Sequence, residues 1–191
     1  MAKFELAHKI VMQHEGGYAN NPKDRGGETY KGVSRKNFPL WAGWSIVDRV
    51  KMMNPKPGSI DNLLQSQTDL QNMVLSFYKT NFWDALNLDA INDQAIAVEM
   101  YDTGVNMGTG VAALFLQRSL NVSNKNGNDY PDLPLTGNVG PKTAQYMNEH
   151  KRPAEVLKVL NCLQGARYIS IMEANPDQEI FFRSWFCRVV L

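Results

Sequence analysis

The sequence predicts a mainly α-helical protein of two lobes, with a small β-hairpin or Gly-rich loop in the N-terminal lobe. Three observations predict it. Most of the 191 residues fall in segments of 3.6-residue apolar periodicity bounded by capping residues, Gly or Pro. One stretch, Gly16 to Ser34, abandons that periodicity for Gly, Asn, Pro, Asp and Thr. A composition of 43% apolar and 20% charged residues suits a globular chain with one sizeable core, built as one domain or two intimate lobes.

The elements follow in order. Over residues 2–15, Phe4, Ala7 or His8, and Val11 form one helical stripe with Leu6 and Ile10 beside it. The Gly16-Gly17 pair ends that helix, which leaves Glu15 at its terminus and makes His8 and His14 half-buried helix residues. From Gly16 to Ser34, β-prone pieces around Ala19 and from Thr29 to Val33 suit a small hairpin or irregular loop outside the core. Residues 38–58 carry Pro39, Pro55 and Pro57 with Trp41 and Trp44, which supports only short helical turns. Thr68-Asp69-Leu70-Gln71 reads as a capping box opening a helix through Leu70, Val74 and Phe77 to about Asn81. Further helices are expected over 93–106, 110–121, 141–150 from Pro141, 153–174 up to Asn175-Pro176, and 178–189. The polar loop from Val122 to Val139 resembles a calcium loop in composition, but Gly127 at its sixth position puts Val122 first and Leu133 twelfth, where carboxylates are needed. It is read as a solvated connection. The clearest boundary, near Ala85 to Asp93, gives a region 1–92 and a helical region 93–191 packed with it as one unit.

Charge excludes several function classes. Twenty Lys and Arg nearly cancel nineteen Asp and Glu, so no global field draws the chain to nucleic acid or an anionic membrane. The balance hides a gradient: residues 1–60 carry ten basic and five acidic groups, residues 61–150 four and ten, residues 151–191 six and four. A basic segment facing a polyanion has this sign, and so do two lobes that attract each other. No apolar run reaches the roughly 18 residues of a membrane span. The first residues break their apolar stretch with Glu5, His8 and Lys9, unlike a signal peptide, so the expectation is a chain cytoplasmic at synthesis. Cys162 and Cys187 have no ligand spacing and are expected to be buried reduced thiols, with one bridge between late helices as the alternative.

Phosphate-loop, nucleophile-elbow and zinc-helix motifs are absent; His8 and His14 are six apart and cannot share one face of a helical turn. His150, near a helix end, is placed to interact with its dipole. The stretch dense in polar groups without structural need runs from Glu15 to Val33. Its glycines permit close backbone approach. Glu15 is anchored on a helix and Asp24, nine residues on, stands in a turn region. A carboxyl on a rigid helix and another on a facing loop is a glycosidase arrangement: burial near Tyr18 keeps one protonated as general acid, while the solvated partner stays ionised. The bland alternative makes Glu15 a helix-end ion-pair partner and Asp24 a turn former.

Glu15-Gly16-Gly17-Tyr18, then Asn21-Pro22, Asp24, Gly26-Gly27, Thr29 and Gly32-Val33, resemble the opening signature of glycoside hydrolase family 108, the phage-type N-acetylmuramidases. Tyr101 to Gly108, Ala112-Ala113, Leu116-Gln117 and Gly137 to Thr143 are similar to a type 3 peptidoglycan-binding domain. The resemblance covers about residues 5 to 170. It implies a lysozyme-like two-lobed fold with a cleft between the lobes, and hydrolysis of the β-1,4 bond after N-acetylmuramic acid in bacterial peptidoglycan. Glu15 is the implied general acid and Asp24 the second carboxylate. Phage lysozymes place a Thr six residues after that Asp; here Thr29 comes five after Asp24, with Tyr30 at the sixth place.

Tyr18, Asp102 and Asn106 are the expected substrate-binding residues, Asp102 and Asn106 lying one turn apart on a helix and equally suited to a packing network. Trp41 and Trp44 are candidate sugar platforms; Trp83, after Phe77, Tyr78 and Phe82, reads as core, and Trp185 with Phe181, Phe182 and Phe186 as the docking face of the last helix. The acidic middle segment is an odd charge for gripping an anionic wall. No cofactor or metal is implied. The expected partner is the peptidoglycan glycan strand, approached by a monomer without nucleic acid or membrane insertion, after release by a holin or another route that needs no signal peptide. A lytic transglycosylase and a non-catalytic wall-binding or secretion-associated protein are the alternative readings.

Overall fold

The computed structural model describes residues 1–14, 16–20, 27–56 and 58–190. The architecture is mainly α-helical with one small antiparallel sheet, as expected. By contacts it divides into two compact units: Met1–Val11 with Asn81–Leu191, and Met12–Thr80. The division read from the sequence at residue 93 falls inside the first of these, because the opening helix packs against a helix that begins at Gln94.

That opening helix, α1 (Phe4–Val11), buries Phe4, Ala7 and Val11 and continues as a 3₁₀ turn, Met12–His14. Its partner α5 (Gln94–Met107) is the centre of its unit, packed by α1, α6 (Thr109–Ser123) and α8 (Pro153–Ala174). Surrounded by helices, α5 is buried on nearly every side, from Ile96 and Ala97 through Glu99 to Gly104. Asp93 caps it, its carboxylate accepting the amides of Ala95 and Ile96 at 2.9 and 3.0 Å. Gly104 is needed for space, since a Cβ there would stand 2.8 Å from Leu86 Cδ1. Phe4, Trp83 and Tyr101 meet edge to face with centroids 5.6 to 6.0 Å apart. Trp83 is fully buried, its indole N–H donating to Asp89 at 2.7 Å, so it is core as expected. His8 is half-buried against Tyr101, Nδ1 lying 2.9 Å from the phenol oxygen.

The polar connection between α6 and α7 (Pro141–Glu149) is pinned by amide side chains of α6. Gln117 bonds the backbones of Thr136, Gly137 and Asn138, and Asn121 exchanges two bonds with Leu133. His150 follows α7, with Nε2 3.1 Å from Ser123 Oγ. The helix expected over 178–189 is shorter: a 3₁₀ turn, Pro176–Phe181, then α9 (Phe182–Phe186). Trp185 stacks on Tyr168 of α8 at 5.0 Å, the docking expected of this segment. Cys162 and Cys187 are exposed, a correction to the expectation of buried thiols; α8 turns Cys162 away from the face that buries Asn161 and Gln164.

In the second unit, β1 (Tyr18–Ala19), β2 (Thr29–Tyr30) and β3 (Val33–Ser34) form an antiparallel sheet in that order. Tyr18 pairs with Tyr30, Ala19 with Thr29, Thr29 with Ser34 and Tyr30 with Val33. The β2–β3 turn is Lys31-Gly32, with φ of 44° and 77°; this two-residue turn matches strand twist and favours Gly at its second place. The Gly-rich segment was expected outside the core, but Tyr30 and Val33 are buried at 1% and 0% exposure. Alternation turns one side of even a two-residue strand onto the helices.

Those helices are α2 (Gly43–Met52), α3 (Ile60–Gln65) and α4 (Thr68–Tyr78). A full α2 replaces the short turns expected around Pro39 and Pro55, because both prolines lie outside it and Trp44, Val47 and Val50 share its buried face. α3 was not anticipated. The capping box is also corrected: Gln67 is the N-cap of α4, with no side-chain cap bond. The Gln71 amide instead donates to the Tyr30 phenol oxygen at 2.9 Å and the Leu64 carbonyl at 2.8 Å, and accepts from Lys31 Nζ at 2.7 Å.

Candidate active site

Glu15 and Asp24, the two expected carboxylates, lie outside the described residues, as does the His14 side chain. The segment following Glu15 is described and is held from two directions. The Gly17 carbonyl accepts the Lys31 amide at 3.0 Å from the β2–β3 turn. The Tyr18 amide donates to Asp61 Oδ1 of α3 at 2.6 Å. The turn is itself supported, the Tyr78 hydroxyl donating to the Lys31 carbonyl at 2.8 Å.

Tyr18 is half-buried, and its hydroxyl donates to Glu28 Oε1 at 2.7 Å. That bond fixes the ring on β1, so Tyr18 is a set rather than a mobile aromatic surface. Burial and the Glu28 charge push its phenol up from 10.0, leaving it a donor at any physiological pH.

Glu28 gathers more than Tyr18. Lys51 Nζ of α2 lies 2.7 Å from Oε1 and Arg35 Nε 2.6 Å from Oε2, with the Glu28 side chain only 12% exposed. Arg35 also forks onto Asp48, with Nη1 and Nη2 at 3.1 and 2.6 Å, and its guanidinium sits 4.3 Å from the Trp44 ring centre. Burial pushes the Glu28 carboxyl up, but bonds from Lys51 and Tyr18 and the Arg35 charge outweigh it and hold the group below 4.5. A carboxyl held ionised cannot donate a proton to a leaving group. Glu28 therefore organises the segment and is excluded as its general acid.

Thr29 sits half-buried in the middle strand, its backbone paired on both sides. Of the tryptophan platforms, Trp44 is buried at 3% with its indole N–H on the Phe38 carbonyl, which corrects its reading as a sugar surface. Trp41 stands over it edge to face at 5.2 Å and is half-buried. Gly43 admits this ring where any Cβ would collide with it.

The remaining two expected residues belong to the other unit. Asp102 is buried at 7%, with Oδ1 2.6 Å from Arg188 Nη1 and Oδ2 accepting from Gln164 Nε2 at 2.9 Å. Its carboxylate is committed to tying α5, α8 and the C-terminal segment together. Asn106 is exposed one turn along, its amide donating to the Asp102 carbonyl at 3.1 Å. Beside them Glu99 is buried at 7%, accepting from Thr103 Oγ1 at 3.2 Å. Burial, with the Asp102 charge adding to it, pushes Glu99 up to about 7.

Sequence reasoning missed Asp61, Arg35, Asp48 and Lys51. The Asp48 to Lys51 spacing of i to i+3 is a local signal of an ion pair; Asp61 and Arg35 find partners through the fold alone.

Residues 8–108, which hold both the strand segment and α5, match the family model Glycosyl hydrolase 108. The chain belongs to this family. Residues 111–190 match the model Predicted Peptidoglycan domain, so this family 108 member is a glycoside hydrolase directed at peptidoglycan. No curated protein matches the chain. Among solved structures it is similar to SagA of Brucella abortus, at 20% identity and a TM-score of 0.60 over 97% of this chain and 88% of that one, a likeness of fold. Among the described residues no helix is long and apolar enough to cross a membrane.

Two stability predictions follow from the carboxyl groups of this hydrolase. The folded value of Glu28 is depressed, so its stabilisation is present above pH 4.5 and is lost as pH falls through the folded value. Glu28→Gln is expected to cost about 1–3 kcal/mol at pH 7, where Arg35 and Lys51 lose their shared anion, and to flatten the acid limb of unfolding measured by urea titration. An unchanged acid limb contradicts the ion-pair assignment.

Glu99 has the opposite sign. Its folded value is raised, so its contribution is present below pH 4.5 and is lost as pH rises towards about 7. Glu99→Gln keeps an acceptor for Thr103 and removes the titration. The variant is expected to melt with the wild type at pH 4.5 and above it at pH 8, by on the order of 3 kcal/mol at most. Parallel melting curves across that range count against a buried, titrating Glu99.

Proposed function

We propose that the protein hydrolyses the β-1,4 bond after N-acetylmuramic acid in peptidoglycan, with Glu15 as general acid and Asp24 as the second carboxylate. The observation that carries the reading is the family match over 8–108, a range that takes in Glu15-Gly16-Gly17-Tyr18, the residues that resemble the family's opening signature. The local structure suits it. A helix leads to the residue before Glu15, and the backbone after it is bonded to α3 and to the β2–β3 turn. Effective general acid catalysis needs a proton held in place relative to the scissile oxygen, and a held backbone next to the acid favours this.

In this reading Asp24 steers a water to the far face of the sugar, aided by Thr29 on β2. Tyr18 presents its fixed ring to a pyranose face, and Asn106 offers an exposed amide to the glycan. The peptidoglycan region of residues 111–190 holds the strand while the first region cuts it. A water placed between the carboxylates requires about 6.5–9.5 Å between them and releases an inverted anomer.

Glu15→Gln tests the acid. It is expected to lower the rate of wall hydrolysis by at least about 10²-fold with an unchanged melting temperature. More than half the wild-type rate rules Glu15 out, and anhydro-ended products from the wild type assign transglycosylation instead. Asp24→Asn is expected to lower kcat far more than it raises KM, because its charge matters most as positive charge develops on the sugar. The anomer seen by NMR in early turnover separates the two carboxylate mechanisms: a retained product means direct attack by Asp24.

A further inference from the structure

We propose that Asp61 is a positioning residue of the active site, which holds the backbone after Glu15 through the Tyr18 amide and for which Gly17 is kept free of a side chain. The inference rests on the reading of Glu15 as general acid. Asp61 stands in the first turn of α3, where an exposed carboxylate is ordinarily assigned to the helix dipole. Here Oδ1 lies 2.6 Å from the nitrogen of a residue 43 positions earlier, the short contact of a charge-assisted bond.

Gly17 gives a second, independent sign. It is not in the left-handed region, so glycine is not required there by backbone conformation. A Cβ there would collide with the Asp61 carboxylate, so a side chain at this position displaces that group from the Tyr18 amide. Gly16, by contrast, has no atom within 4 Å of the position a Cβ would take. The pair thus divides: Gly16 is open, and Gly17 is shaped to Asp61. On its other side Gly17 is held by the Lys31 amide, so Asp61 and the β2–β3 turn form the two jaws of one clamp.

Tyr18 follows Glu15 by three residues, which bounds their Cα separation at about 11 Å. Loosening one jaw lets the intervening backbone move. A displacement of about 1 Å at a reacting group can cost 10²-fold in rate without weakening substrate binding.

Asp61→Ala is therefore expected to lower kcat on peptidoglycan about tenfold or more, with KM within about twofold of wild type and an unchanged melting temperature. Asp61→Asn keeps an oxygen acceptor for the Tyr18 amide and is expected to restore most of kcat. Gly17→Ala pushes the carboxylate away from the other side and is expected to lower kcat likewise. In the Asp61→Ala background it has room and should cost little more. If Asp61→Ala fails to fold, Gly17→Ala carries the test alone. Wild-type kcat in either single variant, an Asp61→Asn as slow as Asp61→Ala, or additive losses in the double variant each overturn the proposal. Run beside them, Glu15→Gln separates the two failures. Its full activity overturns the general-acid reading and this proposal together, whereas an inactive Glu15→Gln with a fast Asp61→Ala overturns this proposal alone.

Discussion

Taking the Glu28 carboxylate largely out of water costs free energy that only donors and cations in contact can offset, and the second unit is arranged around supplying them. Tyr18 reaches it from β1, Lys51 from α2, and Arg35 from just beyond β3. Arg35 carries Asp48 and covers Trp44, so the indole that fills the helical layer is packed by the same cation that neutralises the strand segment. With strands of two residues, backbone pairing alone cannot hold the sheet, since a bare hairpin is marginal in water. Side chains reaching across from helices supply the cohesion: Glu28 at one edge, Tyr30 with Gln71 and Tyr78 with Lys31 at the turn.

Such an arrangement explains what the sequence made legible. Periodicity located α1, α5, α6, α7 and α8 because each buries a face against other helices, and Asp93, Pro141 and Pro153 mark their starts by local chemistry. It also found the β-prone pieces around Ala19 and Thr29. It failed on α2 because proline density around residues 38–58 outweighed the Trp44, Val47, Val50 stripe, although neither Pro39 nor Pro55 enters the helix. It misassigned Gln71 because a capping box and a long-range hydrogen-bonding residue look alike in sequence. The signature from Glu15 to Val33 was legible as a candidate site through its excess of polar residues. Its supports were not, since Asp61 and Gln71 are more than forty residues from the groups they hold.

Aromatic residues divide along the same line. Trp83 was readable as core because it sits in a local aromatic run, and Trp185 because its neighbours are phenylalanines. Trp41 and Trp44 lack such company, and three residues apart they could both have faced a ligand. The fold separates them: Trp44 turns inward to a carbonyl and a guanidinium, while Trp41 covers it and keeps part of its surface outside. Tyr18 keeps part of its surface outside as well, with its hydroxyl already committed to Glu28.

The acidic middle of the chain raised the question of how a net negative segment approaches an anionic wall. Some of these acids have partners within the fold. Asp89 accepts the Trp83 indole, Asp93 caps α5, and Asp129 pairs with Lys125. Asp102 is neutralised by Arg188, a cation from the basic last segment, and Glu99, raised to about 7, is partly protonated at neutral pH. Only charges that reach solvent contribute fully to the field a polymer meets at a distance, because screening and pairing remove the rest. The acidic excess lies in residues 61–110, with seven acidic groups against one basic, whereas residues 111–190, matched by the peptidoglycan domain, carry nine basic groups against seven acidic.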